Sequence, residues 1–214
     1  MGSNLRSLLP IGIAIIALVA SSLSRESTAD ELNGATTVVD VLHGELLYVM
    51  QHSDELEYKG RFQRLEPVVA ELYDTPFMAE KSIGRHWKKI DEGERAQLRE
   101  TFQRFTIANY AGRFNGYSGE RFETLREEPS THGTVFVHSQ LVMEDGHAIQ
   151  LNYRLRPAEG GWKIFDVYLN GTVSELTLRR SEYSSLLQRE GFPALISALG
   201  ERIEALAKAT PAEP

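Results

Sequence analysis

An α+β fold is predicted for this chain of 214 residues, and three observations predict it. Apolar residues recur at helical spacing through the first half, beginning with Val38, Val41, Leu42, Leu46 and Val49. Residues 121–169 then switch to short alternating or apolar runs broken by turn residues, the pattern of an antiparallel meander. Helical spacing returns from about residue 174. Helices followed by strands, without regular alternation, separate α+β from a parallel α/β sheet.

Each element has its own signal. A first helix is expected over 35–52. Residues 60–73 repeat the pattern with Phe62, Leu65, Val69, Leu72 and Tyr73, and Pro67 predicts a kink or break there. "DTPFMAEKSIG" opens a third helix, with Thr75 as N-cap and Pro76 in the first helical position. "DEGE" at Asp91–Glu94 reads as a capping box with Asp in the first place. The helix it opens carries Leu98, Phe102, Phe105, Tyr110 and Phe114, a heavy aromatic stripe for a surface helix. Four strands are expected at about 121–126, 134–144, 148–156 and 162–169. Two helices close the chain, at about 174–190 and 193–208, with Gly191 as the stop between them and Pro193 as the start of the second.

Turn chemistry predicts a register for the sheet. If Asp145-Gly146 is a two-residue turn, Val142 faces Ile149, His138 faces Tyr153, and Val137 faces Arg154. If "PAEGG" is a five-residue loop, Tyr153 faces Phe165 and Leu151 faces Val167. One face then gathers Phe136, Val142, Ile149, Leu151, Tyr153, Leu155, Phe165, Val167 and Leu169. The other sets Asp166 opposite Asn152, with Arg154 one diagonal step away. Asp166 and Arg154 are accordingly expected to be a structural polar pair, with catalysis by Asp166 as the alternative. The apolar face and the aromatic helices above it fit either a filled core or a cavity for an apolar ligand.

Composition narrows the function. A net charge of -7 argues against nucleic acid and against simple adhesion to anionic membranes. The absence of cysteine excludes disulfides, thiolate metal sites, cysteine nucleophiles and lipoprotein acylation. The six histidines show no HxH or HxxxH pairing, so no metal site is expected. The apolar run from about Leu8 to Ala20, behind an early Arg6, reads as a signal peptide over 1–29, cleaved after Ala20 or Ala29, or else left as an uncleaved anchor. A single domain over 30–209 and a disordered tail over 210–214 complete the expected organisation.

Two segments carry a resemblance to a known family: "DTPFMAEKSIGRHWKKIDEGERAQLRETFQRFTIANYAGRFNGYSGERFE" and "GWKIFDVYLNGTVSELTLRRSEYSSLLQREGFPALISAL". In order and spacing they resemble the MlaC, or toluene-tolerance auxiliary, family of periplasmic phospholipid carriers. "RFNGYSGERFE" and "DVYLNGTVSELTLRRSEYS" look closest to its hopanoid-biosynthesis-associated, HpnM-like branch. The resemblance spans roughly residues 35–207. It implies an NTF2-like fold, helices packed on a curled antiparallel sheet around an apolar cavity, with bound lipid as ligand and no cofactor. It also implies passage of a phospholipid or hopanoid between an inner-membrane transporter, of ABC/MCE or RND type, and an outer-membrane component. Such a carrier has a physical task, since an acyl chain of about 16 carbons faces roughly 12 kcal/mol in water at about 0.8 kcal/mol per methylene.

The expected cavity lining is Phe102, Phe105, Tyr110, Phe114, Leu151, Tyr153, Phe165 and Val167. The competing reading is an NTF2-like isomerase or dehydratase using Asp166 or an inward-facing His138 as general base. A third is a transporter-docking module that binds no lipid and presents Arg179-Arg180.

Overall fold

The computed structural model describes residues 34–208, so the expected leader over 1–29 and tail over 210–214 lie outside the described residues. Among the described residues, six α-helices and five strands follow in an α+β order. They are α1 (Ala35–Gln51), α2 (Ser53–Leu72), α3 (Thr75–Ile83), α4 (Glu92–Arg113), β1 (Arg121–Pro129), β2 (Val135–Val142), β3 (Ala148–Ala158), β4 (Gly161–Leu169), β5 (Val173–Ser174), α5 (Glu175–Glu190) and α6 (Phe192–Lys208). The strands form one antiparallel meander in sequence order. The helices pack on one of its faces and on each other, α1 against β1, α2 and α6 against α4, and α5 against α3.

The helix ends follow local chemistry. The Asp91 box is complete: Asp91 Oδ1 accepts from the Glu94 backbone N–H at 2.8 Å, and Glu94 Oε2 accepts from the Asp91 N–H at 3.0 Å. For α3 the cap is Asp74, one residue earlier than predicted, its Oδ1 accepting from the Phe77 N–H at 3.1 Å. Pro67 does not break α2. Gln63 and Pro67 are both exposed, so the carbonyl that the proline leaves free meets water. The interruption falls instead at Glu57, whose φ of 51° and ψ of -173° are not helical. Gly191, at φ 85°, ends α5 as its position predicts.

One core runs through the domain. Leu42, Leu46, Leu65, Leu98, Phe102 and Leu155 are each fully buried, and burial of such side chains contributes roughly 1.5–3 kcal/mol apiece. Arg61 fastens α2 to α4 from inside, donating from Nε to the Ala111 carbonyl and from Nη1 to the Ser53 carbonyl, both at 2.9 Å.

The register differs from the predicted one in both hairpins. Val142 faces Ala148 and Val137 faces Tyr153, because the turn has three residues and not two. Gly146 sits at φ 85° and donates to the Met143 carbonyl, while Met143 N–H pairs with the His147 carbonyl at 2.7 Å. A left-handed third residue of this kind closes a type I turn with a bulge. The next hairpin is tighter than predicted: Ala158 faces Gly161 across Glu159-Gly160. A bulge follows, since Leu155 faces Ile164 whereas Arg154 faces Asp166, leaving Phe165 as the extra residue.

These shifts decide which side chains face the helices. Val135, Val137, Ser139 and Leu141 point inward from β2 and are buried. Phe136 and His138 therefore point outward, contrary to prediction. Phe136 meets Tyr168 edge-on at 5.1 Å, and His138 Nε2 contacts Glu128 Oε2 at 3.0 Å.

Candidate functional site

The inner face of β3 and β4 continues past the filled core into a pocket of about 680 Å³, a volume that counts the solvent at its mouth. Leu151 and Tyr153 of β3 and Val167 and Leu169 of β4 form its floor. From α4 come Thr106, Asn109, Tyr110 and Arg113, followed by Phe114. Tyr73 and Met78 close a third side, and Glu175, Leu176 and Arg179 from the first two turns of α5 close the fourth.

Five of the residues expected to line a cavity stand on this wall: Tyr110, Phe114, Leu151, Tyr153 and Val167. Three do not. Phe102 and Phe105 lie earlier in α4 as buried core, under the Arg179 guanidinium at 5.5 and 5.0 Å. Phe165 is displaced by the β4 bulge and packs edge-on against Phe77 at 5.5 Å, with Arg154 over its ring. The α4 face was readable once Tyr110 was assigned, because Thr106 and Arg113 are its helical neighbours at i-4 and i+3. The α5 contribution had no such signal, since it depends on how β5 returns the chain to the sheet.

Polar groups are few and organised. Tyr73 and Tyr110 hydroxyls hydrogen-bond each other. Burial pushes Tyr110 up to about 12 and Tyr73 well above the ordinary phenol value, so both remain neutral donors. Tyr153 OH contacts His43 Nε2 at 3.2 Å, and His43 stacks on Phe122 at 4.3 Å. Burial drives that imidazole down to about 4, leaving it uncharged near neutral pH. Arg113 is exposed and supplies a cation where the cavity reaches solvent, while Arg179 is largely buried and pairs with Glu175 at 3.7 Å.

The two groups considered as general bases both lie off this wall. His138 is on the outer face of the sheet. Asp166 is buried on β4, where Oδ1 accepts from the Val167 and Leu176 N–H groups at 2.9 and 3.0 Å and Oδ2 accepts from Ser174 Oγ at 2.6 Å. Burial raises its carboxyl above the usual range, an effect countered by those hydrogen bonds and by the nearby Arg154 charge. Arg179 and Arg180 do not form a common patch either, because Arg179 lies over the Phe102 and Phe105 rings while Arg180 lies against Gly84. Among the described residues no group of three or more metal-ligating side chains occurs.

This arrangement, an apolar chamber with a polar rim, sits in a chain whose residues 41–201 match the family model for the MlaC protein. The chain belongs to the MlaC family. The MlaC fold extends to a solved relative, a phospholipid-binding protein from Ralstonia solanacearum in complex with a phospholipid. The two superpose with a TM-score of 0.68 at 21% sequence identity, over 81% of this chain and 99% of that one. No curated protein sequence matches.

Proposed function

We propose that this protein is a lipid-binding carrier of the periplasm that passes a phospholipid or hopanoid between inner-membrane and outer-membrane components. The observation that carries the reading is the cavity: an apolar floor, uncharged phenols within, and Arg113 exposed beside the largely buried Arg179–Glu175 pair. Acyl chains need exclusion from water and no directional partner, whereas a phosphate headgroup needs cations. The chamber and its rim offer both. MlaC-family membership and the phospholipid held by the Ralstonia solanacearum relative support the same ligand class. The apolar run near the N-terminus supports export.

A binding role is favoured over catalysis because Asp166 and His138, the candidate bases, do not line the cavity. Transfer to an inner-membrane transporter and an outer-membrane partner belongs to this proposal through the family alone, as does the hopanoid option. The test is organic extraction and mass spectrometry of lipid from protein purified from its own periplasm. About one phospholipid or hopanoid per protein is expected and would also name the ligand. A protein that is empty, and that refuses both lipids on reloading, overturns the carrier reading in favour of a docking module or an enzyme.

A further inference from the structure

We propose that Asp166 is a positioning residue for the cavity, the latch that holds the α5 wall shut. The proposal rests on the lipid-binding reading above. Its basis is where the three hydrogen bonds of this carboxylate go. Val167 is its own neighbour, but Ser174 and Leu176 belong to the segment that leaves the sheet and begins α5. Leu176 also lines the cavity, as do Glu175 before it and Arg179 one turn later.

The outer edge of β4 explains why one carboxylate matters so much. Near its start that edge is covered by Tyr73, which forms a parallel bridge with Ile164, and the Asp74 N–H donates to the Ile164 carbonyl at 2.8 Å. Near its end it is covered by β5, which is only two residues long. Asp166 lies between these two contacts. The corner it holds has a tight loop at its other end, with Asn170 and Gly171 both at positive φ. Ser174 caps α5 by accepting from the Thr177 N–H at 3.0 Å while donating to Asp166. A carboxylate at the first turn also meets the positive end of the helix dipole. As a whole, α5 packs on α3 and α6 and also meets β4 and β5. In this proposal the first turn is the part of the wall that opens, and Asp166 restrains it through Ser174 and Leu176.

The consequence is kinetic: ligand leaves when the corner at 170–176 opens, and the latch sets how often. Asp166→Asn keeps the shape but removes the charge and one acceptor. Hydrogen bonds to charged groups are stronger than neutral ones, so release should quicken by about tenfold or more, the factor that about 1.4 kcal/mol makes.

The experiment uses the full chain loaded from detergent with phosphatidylglycerol labelled on one acyl chain. Release into phosphatidylcholine vesicles is followed by fluorescence, and backbone amide exchange is measured over 170–179. Val49→Ala, a fully buried core change outside the cavity lining, supplies the comparison at similar loss of Tm. Faster release and faster exchange over 170–179 in Asp166→Asn, with neither in Val49→Ala, is the expected result. Equal release from the two variants, or unchanged exchange in that segment, overturns the latch. If Asp166→Asn does not fold, Ser174→Ala carries the same comparison with a smaller change. If the unmodified protein takes up no lipid, the carrier reading fails, and the exchange comparison alone then decides whether Asp166 holds the corner.

Discussion

Arg154 stands directly across from Asp166 on the adjacent strand, and the two do not form an ion pair. Arg154 donates instead from Nε to Thr134 Oγ1 and from Nη2 to Thr131 Oγ1, both at 3.2 Å, and its guanidinium lies 5.4 Å from the rings of both Phe136 and Phe165. Asp166 turns the other way, to Ser174 and Leu176. The expected polar pair is thus two neighbours with separate tasks, one pinning the loop before β2 and the other the start of α5.

The cavity floor gives the most direct test of ligand binding. Val167→Asp puts a carboxylate among Leu151, Tyr153 and Leu169 with no cation from the sheet beside it, and an unpaired buried charge is strongly disfavoured. Lipid recovered per protein should fall by roughly tenfold or more, read by mass spectrometry, while far-UV circular dichroism stays close to the parent. Full lipid occupancy in a folded variant would show that Val167 does not face the ligand.

Arg179 joins packing to charge in the cavity wall. Its side chain is only 15% exposed, beside Glu175 and over the rings of Phe102 and Phe105. Arg179→Gln should lower stability by about 1–2 kcal/mol through lost stacking and stem packing, measured by urea unfolding. Arg179→Lys should restore only part of it, because the planar guanidinium is what stacks.

Acid stability should depend on His43. Its pKa is about 4 in the folded protein against 6.5 unfolded, so between these values the unfolded chain binds the extra proton and stability falls as pH falls. At about 1.4 kcal/mol per pKa unit the full loss is about 3 kcal/mol, complete below pH 4. Asp166 acts in the opposite sense, its raised carboxyl favouring the fold as it takes up a proton on the acid side. Urea midpoints across pH 4–7 should show the loss, and His43→Gln should flatten it.

The turn that leads to the latch requires glycine. Gly171 has a φ of +75°, and a β-carbon there would collide with Gln150 Oε1. Gly171→Ala should cost roughly 1–3 kcal/mol from the left-handed backbone alone, seen as a lower Tm. Gly44→Ala is a fair comparison, since nothing lies within 4 Å of its added β-carbon. Equal effects would place the Gly171 turn in a different conformation.

Much of this protein was determined by the sequence alone. Local signals act over three or four residues, and they placed the capping box at Asp91, the stop at Gly191 and four of the five strands in an α+β order. The helical period of α4 likewise put Tyr110 and Phe114 on the cavity side. Tertiary structure decided the rest, because it depends on which residues meet across the fold. A single added turn residue at Gly146 moved Phe136 and His138 from the inner face to the outer one, since side chains alternate along a strand. The bulge at Phe165 took that ring off the wall and brought Asp166 opposite Arg154. The α5 wall has no local signature, because Glu175, Leu176 and Arg179 reach the cavity only after a two-residue strand and one buried carboxylate return the chain to β4.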